Sequence, residues 1–374
     1  MSKHIPSLNG LRAISILIVI LHHLYYNNFF PKNNTILKLV GNLFFNGALG
    51  VNIFFVISGF LITTLLLIEN QLNGSISLKN FYIRRILRIF PGYYFLLIVY
   101  AILQFSGYLH FDWVNWLSNV TYTKQFFIDG VHETGHLWSL SVEEVFYLVW
   151  PYIFIKFSKN RVSIIWSLIT LITLTRFLQN IFLPGSVASL TILGRGDALL
   201  IGCLFAIKNN EIVSWIKSNA GWSILIFPLL IIFILSYSYV NHLALKHPAS
   251  NQFTLISTIL SPLCYTLVGS VGLLTNIVIG LIIIFSINIK NLWFSFLNTR
   301  VLGYVGKLSY SLYLWQQLFT ADRPFLHQIP IIIIFLLIFI SANISYFLVE
   351  KPFLKLKDKF SAKASKKNPL SQLS

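Results

Sequence analysis

The feature that most constrains this chain is the recurrence of apolar runs about twenty residues long, each sufficient to cross roughly 30 Å of hydrocarbon as a helix. The runs predict ten spans, at about 11–28, 48–69, 89–106, 137–156, 162–182, 190–207, 220–240, 257–287, 301–320 and 330–349. The eighth is too long for one straight helix. Pro262 and several glycines in "SPLCYTLVGSVGLLTNIVIG" predict a kink, a strong tilt or a re-entrant piece there. Composition agrees: only 10% of residues are charged, against about a quarter in soluble domains. The alternating ten-residue segments of a β-barrel are not found. The expected fold class is an all-α membrane protein, a bundle of about ten transmembrane helices.

The net charge of +17 would suit a nucleic-acid partner, but its placement argues otherwise. Lys and Arg gather beside the ends of the apolar runs, as the positive-inside rule requires. With both termini inside, only Lys32, Lys38, Lys124, Lys246 and Arg323 fall in outer loops, while Arg176 and Arg195 lie in or near spans. Reversing the orientation inverts that bias, so the expected topology is N-in and C-in. Residues 1–353 then form the transmembrane domain, and 354–374 a basic, disordered cytoplasmic tail lying near anionic headgroups. Bulky "HHLYYNNFF" follows the first run where a signal peptide would place small residues, so the run is read as an uncleaved span. The largest outer loop, about 107–136, is aromatic and is expected to pack over the outer face. Cys203 and Cys264 both fall in predicted spans, which argues against a disulfide. Absence of an internal repeat disfavours transporter folds built from duplicated halves.

Several polar side chains interrupt the apolar runs. In the first, Arg12 and His23 stand eleven residues apart, on nearly one helix face and about 16 Å apart along the axis. With Arg12 at the inner boundary, His23 is expected near mid-membrane. It can be a hydrogen-bonded packing residue, or a general base, since an imidazole takes a proton near neutral pH. His22, about 100° away, is expected to be a packing or solvent-facing neighbour. Gly47, Gly50 and Gly59 fit close helix packing. "SLKNFYIRRILRIFPGYY" sets Arg84, Arg85 and Arg88 at the inner boundary, with Arg85 and Arg88 on one face. They serve either topology and lipid phosphates, or a guanidinium clamp for a phosphorylated donor. "HETGHLWSLSVEEVFYLVWP" brings His136, Trp138, Ser139, Glu143 and Glu144 to the start of the fourth span. Carboxylates entering a membrane helix orient a catalytic ring, bind sugar hydroxyls or pair with an intramembrane arginine. "LGRGDALLIG" offers Arg195, beside Asp197, as that arginine. No His, Cys or Asp cluster has metal-ligand spacing, so no metal is expected.

Taken in series, "NGLRAISILIVILHH", "GVNIFFVISGFLITTLL", "FYIRRILRIFPGYY", "HLWSLSVEEVFYLVWP", "LGRGDALLIGCLFA", "LGYVGKLSYSLYLWQQ" and "SYFLVEKPF" resemble the acyltransferase-3 family of integral membrane O-acyltransferases, in its transmembrane-only form. The likeness runs from Leu8 to Phe353. It implies an enzyme of the bacterial inner membrane, with no permanently bound cofactor, that takes acetyl from its donor, cytoplasmic acetyl-CoA, to a hydroxyl of a surface glycan or glycolipid. O-antigen or another exopolysaccharide is the leading acceptor, ahead of peptidoglycan. The resemblance carries over Arg12 and His23, with His23 as the essential histidine, Arg85 and Arg88 as the donor-holding pair, and Glu143 of the Trp-Ser-Leu motif. Arg195, Ser309, Tyr310 and Glu350 fall on further motif positions, and His136, Trp138, Ser139, Arg195, Asp197 and Tyr310 are expected to line the acceptor site. The chain departs from the family at Asn9 and Asn52, where acidic residues are usual, and at Gln316, where many members have histidine. Competing readings are a glycolipid flippase using the same charges as a path, an acyltransferase acting on a small lipophilic molecule such as a macrolide, and a scaffold for polysaccharide assembly.

Overall fold

A computed structural model describes residues 5–30, 40–41, 46–127, 131–182, 191–219, 228, 266–267 and 272–360. These residues are helical, with no β-strand among them. In chain order the helices are α1 (Leu8–Tyr26), α2 (Gly47–Asn73), α3 (Leu78–Phe105), α4 (Trp113–Val120), α5 (His132–Gly135), α6 (Leu137–Lys156), α7 (Arg161–Phe182) and α8 (Ile192–Ile207). There follow α9 (Asn209–Ser218), α10 (Leu273–Asn288), α11 (Leu292–Leu297), α12 (Arg300–Thr320), α13 (Pro324–His327), α14 (Ile331–Ile344) and α15 (Lys351–Lys357). A π-helical turn, Ser345–Glu350, joins α14 to α15.

Among the described residues, α1, α2, α3, α7 and the continuous run Ile331–Phe360 are long and apolar enough to cross a membrane. A sixth crossing results if α8 and α9, bent by 68°, form one broken span. Helices α6 and α12 are long enough but less apolar. The first carries Glu143 and Glu144, and the second buries Ser309, Ser311, Gln316 and Gln317. The expected span 220–240, the first half of 257–287 with Pro262 and Cys264, and residues 361–374 of the tail lie outside the described residues.

Two compact units divide the chain. One gathers Pro6–Thr64 with Lys159–Gly306; the other gathers Leu65–Ser158 with the described residues from Lys307 onward. The first unit is assembled on backbone contacts that only glycine permits. A Cβ on Gly59 would sit 1.8 Å from the Leu199 carbonyl oxygen, and one on Gly202 would sit 2.1 Å from that of Val56. Helices α2 and α8 therefore meet main chain to main chain, the packing that small residues allow where water supplies no hydrophobic drive. Gly50 likewise meets α1, where the Ser15 hydroxyl donates to the Gly50 carbonyl at 2.6 Å.

In the second unit the connection between α3 and α6, the expected outer loop, runs back along α3 from its Gln104 end. The Trp116 indole N–H donates to Gln104 (2.9 Å), the Tyr93 hydroxyl to the Asn119 carbonyl (2.8 Å) and the Tyr94 hydroxyl to that of Val120 (3.0 Å). The Tyr122 ring then stacks on Tyr93 and Phe90. From Gln104 to Phe90 is fourteen residues of helix, about 21 Å. The segment tolerates this depth because its polar groups are met internally. Asp112 caps α4 through the Asn115 N–H at 2.7 Å, and Asn119 donates to Asn115. Asn115 in turn reaches the Thr134 hydroxyl at 3.2 Å. Lys124, counted from sequence as an outer-loop charge, is fully buried.

Candidate functional site

In the first unit α1 carries the half-buried Arg12 in its first turn and the half-buried His23 in its last. His23 thus stands near the end of α1, which stops at Tyr26. Asn27 follows as the cap and Asn28 takes φ +63°, a left-handed conformation that asparagine tolerates. The His22 ring packs against Tyr26 (centroids 5.0 Å apart) and abuts Gly47, which fits its expected packing role.

Deeper in the same unit lies a chain of buried polar groups. Both terminal nitrogens of Arg176 donate to Asp197, at 3.1 and 3.0 Å, and also to the carbonyls of Gly194 and Thr266. Asn276 donates to Asp197 (3.1 Å), Asn52 to Asn276 (2.9 Å) and Arg195 to Asn52 (3.2 Å). Asp197, expected at an acceptor site, is therefore the counter-ion of Arg176. Sequence reading passed over Arg176, although an arginine inside a predicted span signals a buried acceptor. Asn52 serves as a relay that accepts from Arg195 and donates onward.

The second unit holds two further groups. At the head of α6, the His136 N–H donates to Gln317 (3.0 Å) and its ring Nε2 faces the Leu314 carbonyl at 3.1 Å. A carbonyl only accepts, so Nε2 carries the proton. Ser139 donates to the His136 carbonyl at 3.1 Å and shares a short bond with the Tyr313 hydroxyl. His136 and Ser139 thus fasten α6 to α12, while the half-buried Trp138 neighbours them on α6.

One to two turns further along α6 the sequence-predicted charges converge. The Arg85 guanidinium lies over the Tyr147 ring, 4.9 Å from its centroid, and over Phe81 at 5.7 Å. It interacts electrostatically with Glu143, Glu144 and Arg88. The Tyr147 hydroxyl donates to Glu143. Tyr310 donates to the Ile89 carbonyl at 2.7 Å, the carbonyl two residues before Pro91 inside α3. Glu350 accepts from Ser311 (2.7 Å) and Ser345 (3.0 Å) and interacts with Arg88. The π-helical turn makes the Ser345–Glu350 bond by placing residues five apart in register. Gly92 leaves room for Glu350, whose carboxylate a Cβ there would approach to 3.1 Å. Arg84 is set apart: it pairs with Glu69 at 2.6 Å and donates to the Phe360 carbonyl. Arg85, Arg88, Glu143, Tyr310 and Glu350 accordingly belong to one cluster, joined by Glu144, Tyr147 and Tyr122.

An acyltransferase domain family, acyltransferase-3, matches residues 5–350 of this chain. Peptidoglycan O-acetyltransferase OatA of Listeria monocytogenes is 30% identical over 390 residues, which cover 94% of this chain and 56% of that protein. O-acetyltransferase OatA of Staphylococcus aureus is 29% identical over 384 residues, covering 94% of this chain and 58% of that protein. The chain thus spans somewhat over half the length of these relatives. No solved structure matches. Because the family match runs through both units and takes in every cluster described above, the chain belongs to the acyltransferase-3 family.

Proposed function

We propose that this protein is an O-acetyltransferase of the bacterial cytoplasmic membrane, moving acetyl from cytoplasmic acetyl-CoA to a hydroxyl of a cell-surface glycan. Ten spans with both termini inside place the Arg85 end of α3 toward the cytoplasm and the Gln104 end outward. The observation that carries the reading is the gathering of two arginines and three glutamates within one membrane unit of an acyltransferase-family chain. Such groups are costly in hydrocarbon and are kept where they bind or react.

Arg85 and Arg88 hold the donor's phosphates, a task that suits guanidinium groups. His23 takes the proton as the acceptor oxygen attacks the thioester carbonyl. The new C–O bond forms, the C–S bond breaks, and that proton passes to the departing CoA thiolate. In a two-step variant His23 itself carries the acetyl group before the hydroxyl attacks. The named activity of the Listeria relative favours peptidoglycan as acceptor over O-antigen.

The test is CoA release in proteoliposomes supplied with acetyl-CoA and a peptidoglycan fragment. His23→Ala is expected to lower acceptor-dependent release by 10²-fold or more, as loss of a general base does, while membrane insertion is retained. Movement of glycan without CoA release would identify a carrier instead. Unchanged release from His23→Ala would remove the histidine from the mechanism.

A further inference from the structure

The segment that descends along α3 ends on Tyr122, and three observations single that residue out. Its φ of +57° is left-handed, an outlier for a bulky side chain that is held only where surrounding structure enforces it. Its ring is only 8% exposed and is stacked on Tyr93, with centroids 4.1 Å apart, and on Phe90 at 5.2 Å. The hydroxyl that this arrangement delivers has no hydrogen-bond partner among the described residues. Neighbouring phenols differ, since Tyr93, Tyr94 and Tyr310 each donate to a main-chain carbonyl.

A second orphan faces the same cluster. Glu144 Oε1 is buried and also lacks a partner among the described residues. The charge on Glu144 reaches Tyr122, Tyr93 and Tyr310. A buried polar atom without a partner costs about 1–3 kcal/mol. Two such atoms, one an acceptor and one both donor and acceptor, are complementary to a group from outside the chain.

We propose that Tyr122 and Glu144 form a hydroxyl-binding subsite for the sugar acceptor, in which one sugar hydroxyl donates to Glu144 Oε1 and accepts from the Tyr122 phenol. A hydroxyl offers its donor and its acceptor on one atom. An alkyl chain would leave both atoms orphaned. The subsite rests on the acetyltransferase reading for the identity of its ligand.

The full chain in lipid nanodiscs is titrated with a soluble peptidoglycan fragment alone, with acetyl-CoA alone, and with both while CoA release is followed. Tyr122→Phe removes only the orphan oxygen, and Glu144→Gln keeps the carboxylate's shape. Each is expected to weaken fragment binding about tenfold, the effect of one lost hydrogen bond, and Tyr122→Phe is expected to leave acetyl-CoA affinity unchanged. Tyr122→Phe should leave the thermal midpoint unchanged or raise it, because the oxygen has no partner among the described residues.

Equal fragment binding by wild type and Tyr122→Phe, or none by wild type, overturns the subsite. So does a loss confined to acetyl-CoA, which would place the pantetheine amides there instead. Wild type that binds the fragment in a Tyr122-dependent way but releases no CoA keeps the subsite and defeats the acetyltransferase reading.

Discussion

Each unit buries an arginine among carboxylates, and the two do opposite things with it. In the Arg176–Asp197 pair the carboxylate takes two guanidinium bonds and one amide bond, and the guanidinium's two terminal nitrogens also reach two carbonyls, which leaves only its Nε without a partner among the described residues. Around Arg85 the guanidinium lies on ring faces, and Glu144 Oε1 and the Tyr122 hydroxyl stay unmet. Both arrangements cost desolvation. The first recovers that cost inside the chain, so it specifies how α7, α8 and α10 pack. The second recovers it only when something else arrives. Saturation, more than charge, separates architecture from recognition in this protein.

The sharpest way to break that contrast is Asp197→Ala. It strands Arg176, which is fully buried, and losing one partner of a buried pair costs about 3–5 kcal/mol. The expected outcome is a large drop in the thermal midpoint of the purified protein, or loss of folded protein altogether. Arg176→Met combined with Asp197→Leu should recover much of that loss, because an apolar pair of similar volume carries no stranded charge. A double variant as unstable as the single one would show that the pair orients a ligand rather than the helices.

Legibility in the sequence follows the same division. Apolar period and length located α1, α2, α7, α8 and α12 to within a few residues, and α6 at its observed bounds. The start of α3 was missed by eleven residues, because "SLKNFYIRR" reads as an inner boundary, whereas Ser77 caps a helix running straight through it. Motif order named Arg85, Arg88, Glu143, Tyr310 and Glu350 beside Arg12, His23 and Arg195; the first five fall in one unit and the last three in the other. Pairing was not legible. Asp197 was assigned to an acceptor and Arg176 to nothing, since partners 21 residues apart on separate helices leave no local pattern. The path of residues 107–126 was equally hidden: Asn115, Asn119, Tyr122 and Lys124 are buried while Trp113 and Phe126 stay exposed, a division that an aromatic, asparagine-rich stretch between spans does not display until its internal hydrogen bonds are known.

A middle-sized effect sharpens the Arg85 side of the comparison. Arg85→Gln should raise the KM for acetyl-CoA by about tenfold to a hundredfold, the weight of one charge-assisted contact, with little change in the thermal midpoint. Its neighbour Arg84, engaged with Glu69 and Phe360, should behave oppositely: Arg84→Gln lowers stability and leaves the KM alone. Initial rates at varied acetyl-CoA, read beside thermal melts of both variants, separate the two. Matching behaviour would mean that the three arginines form one basic belt with no division of labour.

The smallest effect tests whether saturation or location is the better guide, and Glu350 decides it. This carboxylate shares the unit and the charge field of Arg88, yet its Oε1 is satisfied twice over, accepting from both Ser311 and Ser345. Location would place it with the binding cluster, whereas saturation places it with the architecture. Ser311→Ala removes one of its two hydroxyl donors, so the expected loss is about 1 kcal/mol of stability, with the KM for acetyl-CoA unchanged. Adding Ser345→Ala should cost more than the sum of the single changes, because the last donor's removal leaves Oε1 as bare as that of Glu144. If the KM moved while the melts did not, Glu350 would be a ligand-facing group and saturation would lose its value as a criterion throughout the molecule.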